Sequence, residues 1–239
     1  MKRFLLGFLA LGSTLGFSAE PQLGWGHESE ASAVIASGNS DNQTFSFSQK
    51  TQYLWESDAI KTQARYLLGK SLGSETARNW AAGLKYERNL APRLSGYLGY
   101  QIDSNIFANL DYRHTLDFGG KYTWLTSSAQ NVFSELGYRL TRENQLNPSQ
   151  QLTSHFLRVY TEWGAQWTPT FSSKFFVEFL PNLTRSADWQ LNSEISIASV
   201  LTNVFSLKSG YLFLYRNTPA GTGKKQLDTL FTTAIVAKF

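Results

Sequence analysis

The chain ends in the stretch LDTLFTTAIVAKF, which runs from Leu227 to Phe239. Its odd-numbered positions carry apolar residues and threonines, whereas Asp228, Thr232 and Lys238 occupy even-numbered positions. An alternation with a period of two is typical of a β-strand that has one apolar and one polar face. This stretch therefore predicts a terminal strand, and the same alternation recurs through most of the chain before it.

Counting the alternating segments predicts about twelve strands. The segment from Leu110 to Trp124 alternates most sharply, with aromatic and leucine residues opposite charged ones. Mean hydropathy is moderate, at -0.28, while aromatic residues make up 15% of the chain. This combination fits strands that present one face to lipid and the other to a lumen. We therefore predict an all-β fold, a transmembrane antiparallel up-and-down β-barrel over residues 30–239.

The N-terminus has the pattern of a cleaved secretory signal peptide. Lys2 and Arg3 precede a short apolar run, which is followed by small residues up to Ala19. We predict a signal peptide over residues 1–18, with cleavage after Ser18 preferred and cleavage after Ala19 as the alternative. Residues 19–29 are then a periplasmic lead-in to the barrel.

The terminal phenylalanine resembles the C-terminal assembly signal of bacterial outer-membrane β-barrels. Phe231, Ile235 and Phe239 form the apolar face of this signal. The resemblance implies insertion into the outer membrane by the barrel assembly machinery. An even strand count returns both termini to one side, so we expect the last strand to pair with the first, residues 30–38, and to close the barrel.

The predicted connections alternate in length. Those on the side of the termini are tight turns, at residues 56–58, 90–92, 126–128, 168–170 and 202–203. Those on the opposite side include longer polar stretches, at residues 70–77, 143–151 and 217–226. Short turns on one side and longer loops on the other are typical of outer-membrane barrels.

Assigning the apolar faces to lipid turns most of the charged side chains inward. A charge on the lipid face near the membrane midplane costs roughly 2 to 4 kcal/mol, so this arrangement is a physical constraint. The one clear violation is His114, which we expect to be neutral and near the membrane interface. The predicted lumen-lining residues are Lys61, Arg65, Lys85, Asp103, Asp111, Arg113, Asp117, Lys121, Glu135, Arg139, Arg158, Glu162, Lys174, Glu178, Glu194 and Lys208.

Composition argues against several other classes of function. Removing Lys2 and Arg3 leaves 20 basic against 18 acidic residues, and these charges are dispersed, so no nucleic-acid-binding face is predicted. The chain has 0 cysteines, which excludes disulfides and thiolate metal sites. No spacing of histidines and carboxylates indicates a metal site or another cofactor. The expected partners are the outer-membrane lipids, and the sequence sets no oligomeric state.

Catalysis is the alternative that the histidines raise. Only His155 lies near a serine, Ser154, and adjacent residues of a regular strand point to opposite faces, so the two cannot form a dyad. Asp111 and Asp117 each have a basic neighbour, which favours ionised carboxylates over a general acid. We predict no catalytic residue. A soluble periplasmic β-sandwich would share the strands but not an apolar outer face on each of them.

Two short motifs carry a resemblance to a known family. The first is residues 37–40, which read SGNS; the second runs from Phe107 through Leu110-Asp111-Tyr112-Arg113 and is followed by Gly119-Gly120-Lys121-Tyr122. With the export signal and the strand count, the chain resembles the YdiY-like family of salt-induced outer-membrane proteins. The resemblance implies an outer-membrane barrel with a link to salt stress, and it implies no reaction. We expect a narrow pore for small polar or charged solutes; the alternatives are a non-conducting structural or interaction barrel and, third, a lipid-modifying enzyme.

Overall fold

The computed structural model describes residues 23–36, 42–219 and 225–238. The predicted signal peptide, residues 1–18, and Phe239 lie outside the described residues. The strands in these ranges are β1 Gly24–Ala36, β2 Asn42–Leu54, β3 Asp58–Ser71, β4 Ser74–Ala91, β5 Leu94–Asn105, β6 Leu110–Thr126, β7 Gln130–Leu146, β8 Ser149–Thr168, β9 Phe171–Leu180, β10 Gln190–Val200, β11 Phe205–Arg216 and β12 Leu227–Lys238. A single turn of 3-10 helix, Ile106–Ala108, joins β5 to β6.

The described strands form one closed barrel. Each strand pairs antiparallel with its neighbours in the sequence, and β12 pairs with β1. The predicted all-β, up-and-down barrel of twelve strands is therefore confirmed. We call the end that carries Gly24 and Lys238 the terminal end, and the opposite end the loop end.

Two hairpins are longer than the sequence predicts. The ladder of β3 and β4 continues to Ser71 opposite Ser74, and that of β7 and β8 continues to Leu146 opposite Ser149. Polar residues at 70–77 and 143–151 had the composition of loops, but a strand that lines a polar interior tolerates polar residues at every second position. A two-residue turn closes the first hairpin, with φ of 49° at Leu72 and 74° at Gly73, which matches the tight turns that hairpins favour.

Strand β1 also begins earlier than predicted. It starts at Gly24 rather than Glu30, so His27 lies within the barrel wall and not in a lead-in. The tight turns expected at the terminal end are present between β2 and β3, β4 and β5, β6 and β7, and β8 and β9.

The outer face of the barrel is apolar. Outward positions along the strands carry exposed leucine, isoleucine and aromatic side chains, such as Leu98, Phe118 and Ile195. Aromatic pairs lie at the terminal end, where Tyr122 contacts Trp124 and Trp163 contacts Trp167. A continuous apolar surface with an aromatic girdle is typical of a barrel surrounded by lipid. Within the described ranges, no helix is long and apolar enough to cross a membrane.

The seam between β1 and β12 is shorter than the other ladders. Its rungs run from Glu28 opposite Lys238 to Ala31 opposite Ile235, and the rest of each strand has no rung across the seam among the described residues. By contrast, β12 pairs with β11 along nearly its whole length. The seam is therefore closed at the terminal end of the barrel.

Cysteine pairs can test this register, because the chain has 0 cysteines. We expect the pair Ser29→Cys and Ala237→Cys to form a disulfide on mild oxidation, since directly opposite residues have Cβ atoms about 4.5 to 5.5 Å apart. The pair Ala33→Cys and Thr233→Cys continues the same register beyond the last rung and should oxidise much more slowly. Non-reducing gels with each single cysteine as a control measure both rates. Equal rates would mean that the seam is paired along its full length.

Candidate functional site

The inward faces of β4 and β6 to β9 hold a line of alternating charges. Lys85 Nζ lies 2.5 Å from Glu135 Oε1, and Arg158 Nη1 lies 2.5 Å from Glu135 Oε2. Arg158 Nε then donates to Glu178 at 2.6 Å, and Arg139 donates to the same carboxylate at 3.0 Å. Arg139 ends the line with two hydrogen bonds to Asp117, of 2.7 and 2.8 Å. We call Lys85, Asp117, Glu135, Arg139, Arg158 and Glu178 the central ion-pair network.

This network is almost completely buried. The side chain of Glu178 is 0% exposed, and Arg139 and Arg158 are each 3% exposed. Transfer of an ion out of water costs several kcal/mol, so such groups are stable only when opposite charges and hydrogen bonds surround them. Glu178 meets this requirement with two arginines and the amide of Asn192, which donates at 2.9 Å. The barrel therefore brings inward charges from five strands into one network of mutual partners.

An aromatic side chain and two glycines support the network from the wall. Gly119 of β6 and Gly137 of β7 lie directly opposite each other, and Tyr97 of β5 lies opposite Gly119. A Cβ atom on Gly137 would approach the Tyr97 Oη to 2.2 Å, so the tyrosine occupies the space that a side chain would need. Lys85 Nζ lies 4.5 Å from the centre of the Tyr97 ring, and Arg158 donates to its hydroxyl at 3.2 Å. The glycines thus let Tyr97 lie close to the wall beneath two cations of the network.

A second cluster lies nearer the terminal end. Glu87 accepts from Lys61 at 2.8 Å and from Lys121 at 3.4 Å. Lys121 Nζ also lies 4.3 Å from the centre of the buried Phe133 ring. Phe133 belongs to an aromatic group with Tyr160 and Phe176, which packs beside the ion pair of Glu162 and Lys174. Apolar side chains thus fill the interior between the charged groups.

A third cluster of charges lies at the loop end of the barrel and includes one residue of a loop. Arg113 binds Asp103 at 2.9 Å, and Glu143 lies within 3.9 Å of Arg113 and 3.6 Å of Arg216. Arg216 in turn makes hydrogen bonds of 2.8 and 2.9 Å with Asp188, which is buried in the β9–β10 loop (residues 181–189). The first residues of this loop continue the wall beside β8, where the Leu183 N–H donates to the His155 carbonyl, and Asp188 contributes a buried charge at the loop end.

The wall formed by β1, β2, β10 and β11 is less tightly packed. Lys208 Nζ lies 2.9 Å from Glu30 and 4.0 Å from Glu194, and Lys50 lies 3.5 Å from Glu30. These side chains are 16% to 21% exposed, compared with 4% or less for most of the central network. Arg65 of β3 lies within electrostatic reach of Asp103 and Glu194, so charges from opposite walls face each other across the interior.

Asp111 is the one predicted lumen residue that the structure places elsewhere. A β-bulge between Leu110 and Tyr112 inserts an extra residue, so the parity of the strand changes there and the Asp111 side chain is exposed. A shift of one residue reverses the faces, and no sequence signal marks the bulge.

Further inward-facing charges were not among the predicted residues. Glu87 and Lys50 lie at the polar parity of predicted strands, so parity alone could have identified them. Glu143 lies in a predicted loop, and Asp188 precedes a predicted strand, so no signal marks either of them. Additional charges in ion pairs among the described residues include Glu28, Glu30, Lys50, Glu87, Glu143, Asp188 and Arg216.

The space left in the interior is small. One cavity lies beside the central network between Lys85 and Arg139, and a second lies under the β9–β10 loop between Arg113 and Arg216. Each leaves about 10 Å³ for the centre of a water molecule, which is about the volume that one bound water requires. Neither cavity has room for a solute of the size of a sugar.

The three histidines are held by hydroxyl groups on the outer face. The Nδ1 atom of His114 lies 2.6 Å from the Tyr100 hydroxyl, His155 makes the same contact with Tyr138, and His27 lies 3.1 Å from Thr51. Ser154 is buried on the inner face, so it and His155 lie on opposite sides of the wall. Over the described ranges, no group of three histidine, aspartate or glutamate residues could hold a metal ion.

Comparison with known proteins identifies a family and a fold. A family model described as "Protein of unknown function, DUF481" matches residues 29–239. No curated protein matches the sequence. Among solved structures, the COG4313 outer membrane channel from Pseudomonas putida F1 is 10% identical, with a TM-score of 0.54 over 95% of this chain and 98% of that one.

Two other barrels are similar to the same degree. The NanC porin is 10% identical, with a TM-score of 0.52 over 90% of this chain and 97% of that one. The translocator domain of the autotransporter NalP from Neisseria meningitidis is also 10% identical, with a TM-score of 0.52 over 92% and 89% of the two chains. At this level of identity the likeness shows a shared barrel fold.

Proposed function

The chain belongs to the DUF481 family of proteins of unknown function, and on this premise we propose that it is an outer-membrane barrel whose lumen is closed by ion pairs. In this proposal the barrel serves the envelope as a structural or interaction element rather than as an open pore. The observation that carries the proposal is the central ion-pair network, in which Glu178 joins two arginines with a side chain that is 0% exposed.

The outer-membrane location is supported by three observations. The apolar outer face requires lipid around it, the terminal stretch resembles an assembly signal, and an outer membrane channel has a similar fold. A barrel is one of the two architectures that satisfy all backbone groups within a membrane. With both termini in the periplasm, the loop end faces outside.

The closed lumen in this proposal rests on two features: the inward charges pair with one another, and side chains fill the space between them. Barrels of sixteen or more strands leave an aqueous channel, whereas those of about eight strands are filled by side chains. Here long charged and aromatic side chains fill the interior, and Asp188 of the β9–β10 loop is buried against Arg216 at the loop end. A passing ion would have to displace partners that are themselves buried, which is costly.

Liposome swelling tests the proposal. Proteoliposomes that contain the refolded barrel should swell in an isosmotic solution of a small sugar or amino acid no faster than protein-free liposomes, because ion-paired and aromatic side chains occupy the interior among the described residues. A general porin at the same protein load is the positive control. Swelling above the protein-free rate, from protein that migrates as a folded barrel, would overturn the proposal.

A narrow pore is the second candidate. It is favoured by the looser wall, where the side chains of Lys50, Lys208 and Glu194 are 16% to 21% exposed. The proteins of similar fold also include a porin and a channel. In this alternative, small ions pass along that wall beside the central network. Ion conductance without sugar-driven swelling would support it over the closed barrel.

The link to salt stress is part of the proposal and rests on the family resemblance. A structural barrel predicts that a deletion strain grows normally in standard medium and poorly at high salt. Expression of the wild-type chain should restore growth. Equal growth of the deletion and parent strains at high salt would remove the link without bearing on the closure of the lumen.

A further inference from the structure

A patch of polar side chains interrupts the apolar outer face near the loop end. It consists of Tyr100 on β5, His114 on β6, Tyr138 and Arg142 on β7, and His155 on β8; we call it the outer polar patch. Arg142 lies directly opposite His114 in the ladder, and its neighbour across the other ladder is Thr153, two residues from His155. Opposite and diagonal residues on one face of a sheet are within reach of long side chains.

The patch lies where the apolar band ends. On β8 the outward residues from Trp167 to Leu157 are mostly apolar or aromatic, and His155 follows next. On β6 the corresponding run extends from Trp124 to Leu116 and His114 follows. A tilted strand crosses the hydrocarbon core in about 9 to 11 residues. Arg142 and both imidazoles therefore lie at the level of the lipid headgroups, on the loop end of the barrel.

The hydrogen-bond pattern equips this patch to bind an anion. Each tyrosine hydroxyl contacts the Nδ1 atom of its histidine, and the Tyr112 ring packs edge-on against His114 at 5.4 Å. When the hydroxyl is the donor, the imidazole carries its proton on Nε2, which has no partner among the described residues. Arg142 donates one hydrogen bond to Gln151, at 2.6 Å, and a guanidinium group has five N–H donors. One exposed carboxylate, Asp111, lies on the same strand as His114, on the far side of Tyr112.

We propose that Arg142, with His114 and His155, binds the phosphate of a lipid headgroup in the membrane leaflet at the loop end. Arginine matches phosphate oxygens with paired N–H donors, and the imidazoles add a donor on each side. Arg142 is exposed at the border of the lipid-facing wall, and its side chain donates a hydrogen bond to the neutral amide of Gln151. This inference rests on the proposed outer-membrane location but not on closure of the lumen.

The test is the thermal unfolding of the detergent-solubilised barrel in the presence of lipid A, followed by gel mobility. A ligand that binds only the folded state raises the unfolding midpoint. We expect diphosphorylated lipid A to raise the midpoint of the wild type by several degrees and dephosphorylated lipid A to leave it unchanged. Inorganic phosphate should also have no effect, because the acyl chains hold the headgroup against the barrel.

Matched variants separate a specific site from general charge. Arg142→Gln should lose the shift with lipid A, while Arg88→Gln, an exposed arginine near the terminal end of β4, should keep it. Retention of the full shift in Arg142→Gln, or an equal shift with dephosphorylated lipid A, would overturn the site. A shift that is lost in Arg142→Gln while liposomes swell would leave the site standing and reject only the closed lumen.

Discussion

Glu178→Ala is expected to lower the stability of the folded barrel by about 3 to 5 kcal/mol, which is the usual cost of removing one partner of a buried ion pair. The substitution leaves Arg139 and Arg158 buried, with only Asp117 and Glu135 to balance them. It also removes the acceptor of the Asn192 amide. The temperature at which half of the protein loses its folded gel mobility measures the effect.

Glu75→Ala is the control for this prediction. Glu75 pairs with Arg78 at an exposed site on β4, and exposed pairs contribute about 0 to 1 kcal/mol. Its unfolding midpoint should stay close to that of the wild type. The double variant Glu178→Ala with Arg158→Met should recover part of the loss, because it removes one of the two buried cations that lose Glu178 as a partner. If Glu178→Ala and Glu75→Ala had the same midpoint, the central network would not hold the barrel together.

Gly137→Ala is expected to prevent folding or to reduce its yield severely. A Cβ atom at this position would lie 2.2 Å from the Tyr97 hydroxyl and 2.6 Å from the Phe118 carbonyl oxygen. The backbone atom belongs to the adjacent strand and cannot move without breaking the ladder. Overpacking in a well-packed interior commonly costs about 1 to 3 kcal/mol, and a clash with backbone adds to this. Refolding yield in detergent, measured by gel mobility, is the test.

Gly120→Ala provides a matched control, because Gly120 is adjacent to Gly119, the other glycine beside Tyr97. Its nearest neighbour for a new Cβ would be the Ser95 carbonyl oxygen, at 3.9 Å, which is an ordinary contact. This variant should refold like the wild type. A Gly137→Ala barrel that refolds with the yield and midpoint of Gly120→Ala would show that Tyr97 does not lie against the wall as described.

The alternation of residues was sufficient to predict the fold, because each strand must bury one face and present the other to lipid. The terminal stretch and residues around Ala31 also indicated how the barrel closes, and Ala31 does lie opposite Ile235. The extension of β7 to Leu146 could not be predicted, since Glu143 and Gln145 look like loop residues until the polar interior that receives them is known. A polar residue indicates the end of a strand only when it is known that neither face of the strand contacts a polar interior.

The ion-pair partners of the inward charges could not be predicted from the sequence, for a different reason. Parity assigns a side chain to the interior, but it does not say which strands meet across a barrel of unknown tilt. Lys85 and Glu135 are separated by two intervening strands, and the Tyr97 hydroxyl lies against Gly119 and Gly137, in the space that larger side chains would fill. The bulge at Asp111 also has no sequence signature, although it reverses which residues of β6 point inward on its two sides.

Single-channel recording in planar lipid bilayers tests the central claim most directly. The wild-type barrel, shown by its gel mobility to be folded and by flotation to be inserted, should give a flat current baseline even at high protein load. This result is expected because the buried central ion-pair network and the aromatic group beside it occupy the interior among the described residues. Regular conductance steps from the wild-type protein, absent from protein-free bilayers, would contradict the closed lumen.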